Sequence, residues 1–337
     1  MINIFVGIAQ NQVDIHQNLI KQLGKENEYN ILVTSELITY DNEMFQKVIS
    51  SGRSFNNNAT TNIERLESII YKTRHYKKIV KQLYDYKKVK DITLYFCYIE
   101  DILTNHLFFY FNKNIKAIVV EDGTLNYYNH TIKNISKLTF TLKTLIAYLY
   151  GVKIKKYKGH SSGVDYDKVE CQYVRLPNSA ISVKKSKQLE IEKVEVNNFS
   201  NSVLIIGQEP LEDHIGENEY YRQIVYLLTK IKELKGYNSL DKIYYKPHRN
   251  GKNINRELLN SIIKNIVFLD SNTPLENMYI NELKSKYIFG FKSSAAINIY
   301  MRLTEESRRK LKFNMLLTKD DALKALFVKL NFNILHL

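Results

Sequence analysis

Short runs of Ile, Val, Tyr and Phe alternate with longer amphipathic stretches along this chain, and the alternation breaks once in a polar segment before starting afresh. That rhythm belongs to βαβ units wound around a parallel sheet, so a restart after a break predicts two such sheets, each with its own core. In the first half the strand-like runs are residues 2–8, 30–34, 92–96 and 117–120. Residues 62–86 keep Ile63, Leu66, Ile69, Ile70, Tyr76, Ile79, Val80 and Leu83 near one face, which predicts a long helix with a basic, solvated outer side. Residues 182–202 are rich in Lys, Glu, Ser and Asn and read as the connection between domains. The second half offers strands at 203–206, 242–245, 266–269 and 287–291, with helices near 217–234, 255–264 and 275–280. The expected fold class is therefore α/β, with two Rossmann-like domains at 1–190 and 200–337 facing across a cleft; 337 residues give each an ordinary size.

Charge narrows the partners. The formal net charge is +14, which calls for an acidic partner: nucleic acid, an anionic membrane surface or an anionic small substrate. The cations are scattered, with runs at Lys77-Lys78, Lys87-Lys88 and 153–158, and no zinc-finger or RNP-type signature accompanies them, so nucleic acid is not the expected partner. The segment 138–152 is apolar and followed by Lys153, Lys155, Lys156 and Lys158; it reads as a core helix, with docking on an anionic membrane surface as the alternative. Cys97 and Cys171 form neither a disulfide framework nor a metal spacing, which fits a reducing compartment. The first ten residues are too short and too weakly basic for a signal peptide, so a cytoplasmic place is expected, free or peripheral on the cytoplasmic side of the membrane.

Chemistry gathers at the predicted strand ends, where open α/β sheets collect their ligand-binding groups. Glu121, Asp122 and Gly123 follow the run 117–120. A carboxylate held there can act as a general base, and two adjacent ones push their pKa values apart; the plain alternative is an acidic turn capping the next helix. Lys246, Pro247 and His248 follow 243–245, with Arg249 next, gathering cations suited to a phosphate, or else a surface loop with a structural histidine. Ser293 and Ser294 follow 287–291 at the expected start of a helix, where unsatisfied N–H groups and the dipole favour phosphate and a serine also caps. Gly207 and Gln208 open the loop Gly-Gln-Glu-Pro-Leu after the first strand of the second half, and Glu276 lies in a helix start where a carboxylate suits ribose hydroxyls. The sequence His160-Ser161-Ser162-Gly163 lacks the acid and strand context of a hydrolase elbow, and His16, His75, His106 and His130 have no partner at metal spacing. Neither a G-x-G-x-x-G nor a Walker sequence occurs.

In this order the motifs resemble those of the bacterial sialyltransferases of the lipooligosaccharide and capsule type, glycosyltransferase family 52 and the polysialyltransferases. That group carries an acidic-acidic-Gly motif, a Gly-Gln-Pro-Leu loop, a His-Pro motif and a Ser-Ser motif. Here they are matched by Glu121-Asp122-Gly123, by the loop from Gly207 with one residue inserted, by Lys246-Pro247-His248, and by Ser293-Ser294. The chain departs at Arg249, where the family has Pro. The resemblance implies the GT-B fold and an inverting, metal-independent sialyltransferase without a cofactor. It would use CMP-sialic acid as donor and a galactose-type or sialic acid acceptor of a capsule or lipooligosaccharide, lipid-linked or free. Asp122 is then the expected base and Glu121 its orienting neighbour, with the reverse also open; His248 is the third catalytic residue. Gly123, Gly207, Gln208, Lys246, Pro247, Glu276, Ser293 and Ser294 are expected around the substrate. Two other classes stay open: a glycerophosphotransferase or other transferase with a different nucleotide-linked donor, since such enzymes carry a similar Lys-Pro-His turn, and a basic nucleic-acid- or membrane-binding module without catalysis.

Overall fold

The alternating runs become two all-parallel sheets in a computed structural model that describes residues 1–34, 38–50, 62–131, 137–248, 254–270, 273–317 and 321–337. The chain divides into Met1–Glu190 and Ile191–Leu337.

In the first unit the elements run β1 (Ile2–Val6), α1 (Gln10–Gln22), β2 (Tyr29–Thr34), β3 (Lys47–Ser50), α2 (Asn62–Gln82), β4 (Ile92–Phe96), α3 (Ile102–His106), β5 (Lys116–Val120), α4 (Lys137–Leu149), β6 (Val169–Val174) and β7 (Ser186–Gln188). The seven strands lie in the order β3-β2-β1-β4-β5-β6-β7, every pair parallel, so the winding reverses between β1 and β4. Alternation along the strands builds a core on each face. Ile4, Ile31, Leu94 and Val119 face the side covered by Tyr76 and Ile79 of α2 and Leu103 of α3, while Phe5, Leu32, Tyr95 and Ile118 face Val13, Leu19 and Ile20 of α1.

Three expectations need correction here. Residues 182–202 are not a linker throughout: Ser186–Gln188 joins the sheet as an edge strand, and Val194 bridges Leu303 of the second unit's own fold. A three-residue, polar edge strand buries too little to leave an apolar pattern. Helix α2 ends at Gln82, followed by a 3₁₀ turn at Tyr84–Lys88, and Ile63 in its first turn is 71% exposed instead of packed. Helix α4 is only partly a core element, because Ile146 and Ala147 are buried while Leu138, Leu142, Leu145, Tyr148 and Leu149 are exposed.

The second unit comprises β8 (Ser200–Ile206), α5 (Glu212–Ile215), α6 (Glu217–Lys232), β9 (Ile243–Lys246), α7 (Arg256–Ile262), β10 (Ile266–Phe268), α8 (Leu275–Met278), β11 (Ser285–Gly290), α9 (Ser294–Arg302), α10 (Glu305–Arg309), β12 (Lys312–Leu316), α11 (Lys324–Lys329) and β13 (Asn333–Leu335). The strand order is β10-β9-β8-β11-β12-β13, again all parallel, with its reversal between β8 and β11. Helix α6 buries Tyr220, Ile224, Leu227, Leu228 and Ile231, spaced three and four apart, against Val203, Ile205, Tyr245 and Phe289. Each reversal places a crevice at the carboxyl ends of the central strands, the usual ligand site of such sheets.

Candidate active site

At the carboxyl end of β5 the two adjacent carboxylates have opposite environments. Glu121 is fully buried, and its oxygens accept from the Arg175 backbone N–H (2.6 Å), from Arg175 Nε (2.7 Å) and Nη2, and from the Tyr127 hydroxyl. Arg175 is itself buried, just past β6, so the pair is desolvated and mutually neutralised. Burial and the Glu121 charge push the Tyr127 phenol far above its ordinary value, so it stays the donor.

Asp122 points the other way and is half-buried. Gln12 Nε2 of α1 donates to its Oδ2 at 3.0 Å, and Asn11 Nδ2 approaches Oδ1 at 3.5 Å. Gln12 is 4% exposed, and its Oε1 accepts from the Ile8 N–H at 3.0 Å; that contact fixes which end of the amide faces the carboxylate. The Asp122 N–H donates to Asn126 Oδ1 (3.2 Å), Asn126 Nδ2 to Gln172 Oε1 (3.1 Å), and Gln172 Nε2 to Ser186 Oγ (2.9 Å), a buried amide chain that anchors the turn to the sheet. Gly123 completes the turn at φ +60°, a conformation that a side chain disfavours. Burial drives the Cys97 thiol at the end of β4 well up, and the charges of Asp122 and Glu121 add to the effect, so Cys97 stays protonated beside the acids.

In the second unit a buried carboxylate organises the histidine turn. Glu209 is 2% exposed; Oε1 accepts from the Tyr245 hydroxyl at 2.6 Å and Oε2 from the His248 backbone N–H at 2.7 Å. Desolvation raises the Glu209 carboxyl, partly offset by these two donors. Gly207 is needed beneath it, since a Cβ there would lie 2.4 Å from Glu209 Oε1 and 2.6 Å from the Tyr245 hydroxyl. The Gly207 N–H donates to the Lys246 carbonyl at 2.9 Å, and the Gln208 N–H to the Tyr220 hydroxyl at 3.4 Å, binding the β8 loop to the end of β9 and to α6. Pro247 and His248 are half-buried at this end, while Arg249 lies outside the described residues. Lys246 is buried, and its Nζ donates to the Asp270 carbonyl; burial lowers its pKa against the pull of Asp270 and Glu276.

After β11, Ser293 adopts the extended N-cap conformation and accepts from the Ala295 N–H at 3.2 Å, and exposed Ser294 starts α9. Glu276 accepts from Asn298 Nδ2 of α9 at 2.7 Å, tying the α8 start to the same helix. Thus Gly207, Gln208, Glu209, Lys246, Pro247, His248, Ser293 and Ser294 stand at or just past the carboxyl ends of β8, β9 and β11. The arrangement offers an anion a helix N-terminus, a histidine and backbone amides.

Sequence reasoning did not single out Arg175, Gln12 or Tyr127, and it named Glu209 only as part of the Gly207 loop. Their signals are long-range: Arg175 follows β6, a strand mixing Glu, Gln and Tyr with apolar residues, and Gln12 is an ordinary polar residue in a helix start. Among the histidines, His16 Nε2 bonds the Val6 carbonyl (3.1 Å) and His106 Nδ1 accepts from the Lys153 N–H (2.9 Å); burial lowers each to about 4. Ser161 does meet an acid, Glu100, contrary to the reading of its motif. Its proton is committed to Glu100 Oε1 at 2.6 Å, with His130 Nδ1 at 2.8 Å donating to the serine, an arrangement that braces a loop and offers no nucleophile.

The alpha-2,8-polysialyltransferase (POLYST) family model matches residues 3–302. The chain belongs to that family. Its membership makes it a sialyltransferase-type glycosyltransferase, an enzyme class that takes a nucleotide-sugar donor and a glycan acceptor. No curated protein matches the chain. Among solved structures, an alpha/beta-galactoside alpha-2,3-sialyltransferase from Photobacterium phosphoreum is similar at TM-score 0.52 and 13% identity, over 99% of this chain and 98% of that one. The GT-B domain of a Photobacterium damselae sialyltransferase is similar at 0.51 and 14%, over 99% of each chain. The glycosyltransferase SnogD from Streptomyces nogalater is similar at 0.50 and 9%, over 100% and 87%. These likenesses establish the fold as that of the GT-B glycosyltransferases.

Proposed function

We propose that this family member is an inverting, metal-independent transferase that moves sialic acid from CMP-sialic acid to a sialic acid or galactose-type acceptor of a bacterial capsule or lipooligosaccharide. Asp122 is the general base: it takes the proton of the acceptor hydroxyl as that oxygen bonds the anomeric carbon from the face opposite the leaving group. The bond from the anomeric carbon to the phosphate oxygen breaks with its electron pair on CMP, a good leaving group whose charge His248 and the Ser293/Ser294 helix start meet. Glu121 acts through geometry, holding the Asp122 turn by its ion pair with Arg175. Lys246, Glu276 and the Gly207-Gln208 loop shape the nucleotide site, and Gly123 and Pro247 set their turns. The enzyme works on the cytoplasmic side, where the unpaired, buried Cys97 and Cys171 are at home.

The observation that carries this reading is the division of the acid pair, Glu121 sealed in a desolvated ion pair and Asp122 half-exposed with amide donors orienting it. Thermal melting with CMP, CDP or UDP tests the donor class, because a ligand of the native state raises the midpoint by mass action. CMP is expected to give the largest shift and Ser294→Ala to remove it. A larger shift with UDP overturns the proposal.

A further inference from the structure

Helix α4 carries an apolar face that the fold leaves in solvent. Leu138, Leu142, Leu145 and Leu149 recur at intervals of four, three and four, which aligns them along one side, and they are 81%, 46%, 55% and 71% exposed. Tyr148 flanks them at 66%, and the other leucine exposed to this degree among the described residues is Leu337. The opposite side of the helix is already spent on the core through Phe140 and Ala147. A continuous apolar stripe of this kind marks an interaction surface.

The segment just past the helix says what covers it. Gly151, at φ +75°, ends α4, and the chain then runs along α3, where the Lys153 N–H donates to His106 Nδ1 (2.9 Å) and the Lys155 N–H to Asn105 Oδ1 (2.8 Å). Val152, Ile154 and Tyr157 are buried, so the intervening Lys153, Lys155, Lys156 and Lys158 are held out in solvent. Lys155, Lys156 and Lys158, with Tyr166 and Asp165, line a pocket of about 360 Å³, large enough for a headgroup phosphate. The acid there is engaged, Asp165 Oδ2 accepting from the His160 N–H at 2.7 Å. No Asp or Glu occurs in α4 or in residues 150–158.

We propose that α4 and the Lys153–Lys158 strap form a docking face for an anionic lipid bilayer, with the leucine stripe lying in the interface and the lysines on the headgroups. Apolar insertion and cationic attraction side by side are what binding in the plane of a membrane requires. No helix among the described residues is long and apolar enough to cross a membrane, so attachment through α4 is peripheral. The inference stands on surface chemistry alone and does not depend on the donor or base assignments.

Vesicle sedimentation of the full chain tests it, with pure phosphatidylcholine vesicles against vesicles of phosphatidylcholine and phosphatidylglycerol in equal parts. Binding is expected to the anionic vesicles and to fall with added salt. Lys153→Gln, Lys155→Gln and Lys156→Gln each weaken it roughly fivefold. The variant Leu138→Gln/Leu145→Gln/Leu149→Gln weakens it by at least about tenfold while the melting temperature and nucleotide-induced shift stay as in the parent. Equal partition onto both vesicle types, or unchanged binding by the leucine variant, overturns the proposal. So does light scattering that shows a dimer dispersed by the leucine variant without vesicle binding, which makes a second copy the occupant.

Discussion

Replacing Arg175 by Met should destabilise the first unit far more than any change at Asp122. In the parent, Glu121 receives two guanidinium donors, the Arg175 N–H and the Tyr127 hydroxyl, with no exposure to water. Arg175→Met keeps the N–H and phenol contacts but leaves a buried carboxylate without its counter-charge, a loss of about 3–5 kcal/mol. For a unit of this size each kcal/mol moves the melting temperature by about 2–4 °C, so circular dichroism should show a drop of about 6–20 °C. Glu121→Gln/Arg175→Met removes both charges and should recover at least half of it, giving a large coupling in the double-mutant cycle. Asp122→Asn, at a half-exposed position held by neutral amides, should melt within a few degrees of the parent. An Arg175→Met protein that melts like the parent, or a double variant that loses the sum of both singles, refutes the assignment of Glu121 as a desolvated ion-pair partner.

Two further outcomes follow from the same geometry. Gly207→Ala drives a methyl group into Glu209 Oε1 and the Tyr245 hydroxyl. It should cost about 1–3 kcal/mol by overpacking and weaken CMP binding through the His248 turn, as titration calorimetry would register; an unchanged affinity and melt contradict the bracing role of Glu209. His16 is neutral in the folded chain, its pKa lowered from 6.5 to about 4 by burial. As pH falls from 6.5 toward 4 the unfolded chain takes up a proton that the folded one refuses, so stability present above 6.5 is lost across that window, about 3 kcal/mol from this group. Urea unfolding at stepped pH should show the decline, His106 adding to it. Removing either histidine flattens it, and a stability curve that is level between pH 7 and 5 contradicts the burial argument.

Much of the fold was legible because the central strands of each sheet are buried on both faces and therefore spell continuous apolar runs, as 92–96 and 203–206 do. Edge strands such as Ser186–Gln188 and Asn333–Leu335 bury little and left no such mark. The strand-end motifs were legible for the same reason, each being punctuation after an apolar run. Their sorting was not. Whether Glu121 or Asp122 faces solvent depends on Arg175, more than fifty residues away in sequence, and the partners of Glu209 are Tyr245 in β9 and His248 just past it. In α4 the pattern revealed an apolar helix, but only packing decides which side finds a partner.

The central claim is that Asp122 removes the acceptor proton while CMP leaves from sialic acid, and release of CMP from CMP-sialic acid, with and without a sialylated acceptor, measures it most directly. The account predicts acceptor-dependent CMP release by the parent. Asp122→Asn should lower it by about 10²–10⁴-fold with folding and CMP binding intact. Parent-like turnover by Asp122→Asn, or no CMP above background with the parent, contradicts it.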